Sequence, residues 1–176
     1  MRRSLLLTAA GAVVALALGA GCTTGVGDAE APLCSTDRVE ALVVVAQSVP
    51  TAGRVPCISS YPAGWKLGTV DVHNGRSSFE LKAGDDGSEV NVVLEKECDV
   101  TGAVEVATDE RGTARYDRLP SPTEARTVRN YKFAGGCVTY EFHFGGPRSA
   151  LLDQASLAIG LVSRSDIETK FYGGAK

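Results

Sequence analysis

The stretch WKLGTVDVHNGRSSFELK, residues 65–82, carries the clearest structural signal in the chain. Asn74-Gly75 is a favoured two-residue hairpin loop, because both positions of a type I′ turn need a positive φ. This loop pairs His73 with Arg76, and an uninterrupted ladder then places Gly68 opposite Leu81. The hairpin separates apolar from polar side chains, which is how a strand register is specified. The apolar face of the predicted hairpin consists of Val70, Val72, Phe79 and Leu81.

Two further segments extend this pattern. Residues 89–98 alternate with the period of a strand and predict the third strand of an antiparallel meander with one buried face. A second hairpin is predicted around Ala134-Gly135-Gly136. A three-residue loop would mix polar and apolar side chains, whereas a Gly135-Gly136 loop with Phe133 opposite Val138 separates them. The two-residue loop is therefore predicted, with a core face formed by Val138, Tyr140, Phe142 and Phe144.

Helices are predicted on both sides of these strands. Apolar residues recur at helical spacing in residues 36–48, and Pro50 ends the pattern. A second helix is predicted to start at Ser149, with an apolar stripe that continues through Ile159 and Val162. Helical periodicity thus assigns most of the C-terminal region to helix.

Two segments carry no regular pattern. Residues 53–64 are predicted to be a loop because of their prolines and glycines. Residues 99–124 are predicted to be an irregular insert in which Ala103–Val106 is compatible with a short strand. The elements together predict an α+β fold. It has a single antiparallel sheet, made of a three-strand meander and a C-terminal hairpin, with helices packed on one face.

The first 22 residues are typical of an export signal. Arg2 and Arg3 precede an apolar run that extends to about Gly19. This run is short for a membrane-spanning helix of about 20 residues. It suits the apolar region of a signal peptide, which has about 7–15 residues. Small residues then lead directly to Cys22.

This segment resembles the signal peptide of bacterial lipoproteins. In that family an aliphatic residue and two small residues precede an invariant cysteine, and the signal peptidase cuts before the cysteine. The resemblance implies that Ala20 and Gly21 are the small pair and that Cys22 carries a diacylglyceryl thioether. Gly19 departs from the pattern, since the family prefers an aliphatic residue there and Leu18 lies one position too early.

The resemblance implies a division of the chain and a location. We expect a signal peptide over 1–21, a lipidated cysteine with a flexible tether over 22–33, and a single α+β domain over 34–176. The expected location is the cell membrane, with the domain lipid-anchored on the extracytoplasmic face. Cleavage at an ordinary signal-peptidase site would give a secreted protein instead. Arg2-Arg3 also resembles a twin-arginine signal, so the export route stays open.

The chain has five cysteines. With Cys22 assigned to lipid, four remain, and an even number in an exported chain predicts two disulfides. A zinc site is disfavoured because no two cysteines have the Cys-x-x-Cys spacing. The count alone allows three connectivities, and the choice that ties together single structural units is preferred. The predicted pairs are Cys34–Cys57 and Cys98–Cys137.

Charge and motifs limit the possible functions. The net charge of −3 disfavours binding to nucleic acid, which needs clustered Lys and Arg. No Gly-x-Ser-x-Gly or phosphate loop is present, and neither a cofactor nor a metal is expected. The acid–base candidates are His143 and Glu141, which share one strand face with Thr139 at alternate positions. A solvated or ion-paired strand face is the structural alternative for these residues.

These observations favour a non-catalytic cell-envelope lipoprotein that acts as a binding or accessory module. The expected partners are the membrane, through the covalent lipid, and a membrane protein or envelope polymer. One alternative is a small envelope hydrolase that uses His143 and Glu141 as an acid–base pair. Another is a purely structural envelope protein.

Overall fold

The computed structural model describes residues 30–35, 39–84, 87–119, 126–144 and 148–173. Within these ranges the chain forms three helices and nine strands. In chain order they are α1 (Glu40–Ser48), β1 (Arg54–Ile58), β2 (Trp65–His73), β3 (Arg76–Ala83), β4 (Glu89–Glu95), β5 (Val104–Val106), β6 (Thr113–Arg118), β7 (Thr127–Phe133), β8 (Gly136–His143), α2 (Arg148–Ala158), β9 (Ile159–Ser163) and α3 (Arg164–Gly173).

Seven strands form one antiparallel sheet in the order β2-β3-β4-β8-β7-β6-β5. Two meanders, β2 to β4 and β5 to β8, lie side by side and are joined because β4 pairs with β8. The remaining strands, β1 and β9, form a separate two-stranded antiparallel ribbon. The predicted α+β fold with a single sheet is therefore wrong. The described chain is mostly β, with two sheets and three short helices.

Three strands, β1, β6 and β9, differ from the prediction because their sequences lack a clear strand period. Pro56 made β1 look like a loop, yet proline is tolerated in a strand that pairs in a two-stranded ribbon. Every residue of β6 is half-buried, so no alternation marks that strand. Its neighbour β5 lies within Ala103–Val106, the segment compatible with a short strand. Ile159 and Val162 fit a helical stripe, but α2 ends at Ala158 and both residues lie in β9.

The first hairpin has the predicted pairing near its turn, where His73 lies opposite Arg76. Farther from the turn, a bulge shifts the register so that Leu67, not Gly68, lies opposite Leu81. The third predicted strand is confirmed as β4, and its core-facing side chains are fully buried. Those side chains are Val90, Val92 and Leu94.

The second hairpin closes through Ala134-Gly135, not through Gly135-Gly136. Tyr131 rather than Phe133 therefore lies opposite Val138. The shift is by two residues, so each side chain stays on its predicted face. The predicted core face is confirmed for Val138, Tyr140 and Phe142, which are at most 2% exposed, and Phe144 packs against the same core.

Neither hairpin loop is a type I′ turn. Gly75 has a φ of 90° and Gly135 a φ of 74°, whereas no described non-glycine residue has a positive φ. A positive φ only at the second loop position is the pattern of a type II turn. The conformational freedom of glycine is thus needed at one position in each loop.

The apolar face of the seven-stranded sheet is covered by the three helices and the β1–β9 ribbon. Leu42 of α1, Val55 of β1, Ala155 of α2 and Ile167 of α3 all join the core cluster that contains Phe79 of the sheet. Side chains from every covering element therefore meet one apolar face. No helix among the described residues is both long enough and apolar enough to cross a bilayer.

Arg164, which is distant in sequence, hydrogen-bonds to carbonyl oxygens at the C-terminal end of α1. The described part of the predicted helix over 36–48 is α1, and residues 36–38 lie outside the described residues. The last turn of α1 has no basic residue of its own. The Arg164 guanidinium instead donates to the carbonyl oxygens of Ala46 at 2.6 Å, Val49 at 2.8 Å and Ala52 at 2.7 Å. The Ala46 carbonyl has no partner in the helix, because the residue four positions later is Pro50, and Arg164 supplies one. The Val49 carbonyl also accepts from the Ala52 N–H at 3.0 Å, and Ala52 lies in the turn after α1.

A charged cluster interrupts the apolar face at its β6–β7 side. Arg129 is 7% exposed, contacts Asp117 at 3.2 Å and donates to the Ser156 hydroxyl of α2 at 2.8 Å. Arg115 also donates to the Asp117 carboxylate. Burial raises the pKa of Asp117, but the hydrogen bond from Arg115 and the charge of Arg129 outweigh it and lower the pKa.

Both predicted disulfides are confirmed. Cys34–Cys57 fastens the N-terminal arm to β1, next to a bridge between Leu33 and Ile58. Cys98 lies beyond the end of β4 rather than on the core side of that strand, and it bonds Cys137 near the start of β8. The second disulfide therefore holds the segment after β4 against the face of the sheet opposite the core.

Candidate functional site

A polar hollow of about 180 Å³ lies on the face of the seven-stranded sheet opposite the core. We call this hollow the sheet concavity. Its floor consists of Val93, Val128, Asn130 and Thr139. Its rim consists of Arg76, Glu95, Cys98, Asp99, Arg118 and Glu141.

Strand register brings the floor residues together. Thr139 of β8 lies opposite Val93 of β4 on one side and opposite Asn130 of β7 on the other. Directly opposed residues in antiparallel strands point to the same face. Arg118 of β6 joins them because it lies opposite Val128 of β7. The floor therefore depends on the junction of the two meanders at β4 and β8.

Asn130 is the most unusual residue of the floor. It is 1% exposed, and its Oδ1 accepts a hydrogen bond from the Thr139 hydroxyl at 2.8 Å. The same hydroxyl lies 3.3 Å from the Cys98 sulfur. Among the described residues, no group pairs with the other amide atom, Nδ2. A buried donor left unpaired costs about 1–3 kcal/mol, so it requires an explanation.

Arg118 supplies a second unpaired donor. Its Nη1 donates to the carbonyl oxygen of Thr101 at 3.4 Å, whereas its buried Nε has no partner in the described part of the chain. Two residues from neighbouring strands that line one hollow thus each carry a buried N–H donor without an acceptor in the described ranges. Such a pair suits a ligand oxygen, since each donor would gain a hydrogen bond when the ligand enters.

The rim carries both signs of charge. Arg76 contacts Glu95 at 3.0 Å, and Arg126, just outside the rim, contacts Glu141 at 3.4 Å. These two ion pairs neutralise two of the rim carboxylates locally. Partly exposed pairs of this kind contribute little stability, so they leave the rim able to adjust to a ligand.

Asp99 is the third carboxylate of the rim. Its Oδ1 accepts a hydrogen bond from the backbone N–H of Thr101 at 2.9 Å. Hydrogen bonds from Thr101 lower the pKa of Asp99, and the charge of Arg118 adds to this effect. The Cys98–Cys137 disulfide fixes the segment that carries Asp99, so this carboxylate is held at the edge of the sheet concavity.

The predicted acid–base residues are only partly brought together. Glu141 lines the sheet concavity with Thr139, whereas His143 does not line it. Glu141 pairs with Arg126, and no hydrogen bond or ion pair joins it to His143 within the described ranges. Cys22, the predicted lipidation site, lies outside the described residues.

The residues that define the site were not selected from the sequence. The predicted separation of polar from apolar side chains in the second hairpin implies the polar face for Asn130, and it lies there opposite Thr139. The pattern gives no sign that this side chain is buried. An asparagine in mid-strand is disfavoured, which is a weak sign of a special role. Arg118 and Asp99 lie in the segment predicted to be irregular, so nothing indicated that they would meet.

Other features offer less chemistry. A hollow of about 260 Å³ between α1 and β2 is lined mainly by valines, which are Val44, Val45, Val70 and Val72. It lacks the convergent polar groups that orient a ligand. Among the described residues, no group of three or more His, Cys, Asp or Glu side chains is placed to hold a metal ion.

The sheet concavity therefore combines buried donors with a charged rim. Its buried N–H groups could donate to a ligand oxygen, and its rim offers both positive and negative groups. No known protein family, curated protein or solved structure matches this chain.

Proposed function

We propose that this protein is a cell-envelope lipoprotein whose domain is a non-catalytic binding module. Lipid on Cys22 holds the domain at the extracytoplasmic face of the membrane, and the sheet concavity is its binding site. One observation carries the binding role: Asn130, which lines a polar hollow, has a buried amide donor without a partner among the described residues. A ligand acceptor would remove that unfavourable feature.

Two features support the location. The N-terminal segment resembles a lipoprotein signal peptide, and both disulfides join cysteines of the following domain. Stable disulfides are typical of exported proteins, because the cytosol keeps thiols reduced. The first disulfide fastens the arm that follows Cys22, so the tether would enter the domain beside β1.

The geometry favours binding over catalysis. General acid–base chemistry needs groups within hydrogen-bond reach of a shared proton. Glu141 faces Arg126, and His143 lies outside the sheet concavity. The hydrolase alternative therefore gains no support. An envelope polymer or membrane protein would enter a hollow of this size only by a small group.

Mass spectrometry of the full chain purified from membranes tests the anchor. We expect a mature N-terminus at Cys22 with a mass increase of one diacylglyceryl group or more, and the Cys22→Ala variant should lose it. A mature chain that starts at another residue without lipid would contradict the anchor. This result would not bear on the binding role of the domain, which is tested separately.

A ligand screen tests the binding role. The full chain is titrated with small polar solutes while the ¹⁵N–¹H signals of the Asn130 side chain are followed by NMR. We expect at least one solute to shift those signals and the Arg118 Nε–H signal in the wild type. The Arg118 shift should be lost in Asn130→Asp, whose side chain has no N–H signal of its own. Asn91→Asp is the matched control, because Asn91 lies on the same sheet face without lining the sheet concavity. Failure of every solute class would contradict the binding role.

A further inference from the structure

The charges of the sheet concavity indicate what kind of ligand would fit. Two rim carboxylates, Glu95 and Glu141, already have arginine partners. Arg118 and Asp99 both line the hollow, and no ion pair within 4.0 Å joins them in the described part of the chain. The hollow therefore presents one cation and one anion that are separated from each other. This arrangement matches a ligand whose own charges are separated.

The unpaired donors indicate which end of such a ligand would lie at which side of the hollow. Arg118 Nε and Asn130 Nδ2 are both N–H donors, and both lack an acceptor among the described residues. A carboxylate can accept from two donors at once, and a bond to a guanidinium is charge-assisted. The opposite end of the ligand would then lie toward the Asp99 carboxylate. A simple anion would suit the donors, but it would leave the Asp99 carboxylate uncompensated, since the other two rim carboxylates already pair with arginines.

We propose that the sheet concavity binds a small zwitterion of the amino-acid type. Its carboxylate accepts hydrogen bonds from Arg118 Nε and Asn130 Nδ2, and its ammonium group pairs with Asp99. This inference rests on the proposed binding function and names its ligand class. The volume of about 180 Å³ suits a single amino acid or one terminal group, not an extended chain.

The experiment uses the full chain and defined probes. Glycine and both enantiomers of alanine serve as zwitterions, acetate and methylammonium as the two half-ligands, and glucose and inorganic phosphate as other polar solutes. Binding is measured by the NMR shifts of the Asn130 side chain and of Arg118 Nε–H. The Arg118 signal is followed in Asn130→Asp and the Asn130 signal in Arg118→Lys. We expect a zwitterion to bind at least about tenfold more tightly than either half-ligand, because both of its ends are recognised.

Variants separate the two ends of the ligand. Asn130→Asp should weaken the binding of glycine and the binding of acetate by at least about tenfold each, since it replaces a donor by a carboxylate that repels the ligand carboxylate. Asp99→Asn should weaken the binding of glycine several-fold and leave the binding of acetate unchanged. Arg118→Lys removes the Nε donor at a partly exposed position. This variant tests the same end of the ligand if Asn130→Asp, which changes a buried residue, does not fold. Asn91→Asp, the control, should bind like the wild type.

The outcomes distinguish this inference from the proposed function. Binding of glucose or phosphate at the Asn130 signals without binding of any zwitterion would overturn the ligand class and leave the binding module intact. Equal weakening by Asn91→Asp and Asn130→Asp would also overturn it, since the effect would then be a general charge effect. Absence of binding by every probe would contradict both proposals.

Discussion

Replacement of Gly135 by alanine tests how the second hairpin docks on the rest of the fold. A Cβ atom at this position would lie 1.8 Å from the carbonyl oxygen of Thr51, and the φ of 74° already disfavours a side chain. The Thr51 hydroxyl donates to the Gly135 carbonyl at 2.6 Å, and the Gly53 N–H donates to the Ala134 carbonyl at 2.9 Å. The added methyl group must displace this contact between the turn and the segment before β1.

Gly75→Ala is the matched control. Gly75 occupies the same position of the first hairpin loop, with a φ of 90°, but no heavy atom lies within 4 Å of the Cβ that would be added. Alanine in the left-handed region costs about 1–2 kcal/mol. Reduced freedom of the unfolded chain offsets about 0.4–1 kcal/mol of that cost. We therefore expect Gly75→Ala to lower the free energy of unfolding by about 1 kcal/mol.

Gly135→Ala should cost more because it adds a clash to the same backbone strain. Loss of the two hydrogen bonds to the Thr51–Gly53 segment contributes about 1 kcal/mol each. The expected total is about 3 kcal/mol, or a fall in Tm of about 6–12 °C for a chain of this size. The difference between the variants thus measures the docking of the turn.

Urea unfolding with intact disulfides gives both values. Trp65, the single tryptophan, is 8% exposed and reports on unfolding by fluorescence. The m-value should be the same in all three proteins, so that midpoints compare directly. Costs for Gly135→Ala and Gly75→Ala that agree within about 0.5 kcal/mol would refute the reasoning, because docking of the turn would then contribute nothing.

Three further predictions concern stability. Arg164→Met keeps an apolar stem but removes three hydrogen bonds to the carbonyls of Ala46, Val49 and Ala52, and it should cost about 2–3 kcal/mol in urea unfolding. A cost below about 0.5 kcal/mol would contradict this role. Asp117→Asn should cost about 3 kcal/mol at pH 7, since it leaves two arginines without their carboxylate. The pKa of Asp117 in the folded protein lies below its ordinary value of 3.8, so this stability is present above about pH 4. It is lost as the pH falls through the folded pKa. The unfolding curves of wild type and variant should therefore converge in acid. Removal of the Cys34–Cys57 disulfide by the double alanine variant should cost about 3 kcal/mol for its sequence separation of 23, and an unchanged Tm would contradict this expectation.

The candidate site shows why function was harder to predict than local structure. The alternation of residues 137–144 placed Thr139 and Glu141 on the polar face correctly, because side-chain direction in a strand depends only on position. It could not indicate that β4 and β8 would be neighbours, or that Arg118 would arrive from a strand without alternation. The unpaired donor of Asn130 arises only when these strands meet.

The sequence by itself determined the features that depend on near neighbours. These are the hairpin around Asn74-Gly75, the faces of β4, β7 and β8, and the two cysteine pairs that tie single units together. The tertiary structure alone decided the β1–β9 ribbon, the loop register at Gly135 and the sheet concavity. The physical reason is that a period of two reports which face of a strand is buried, whereas the partner that buries it is chosen by packing between distant segments.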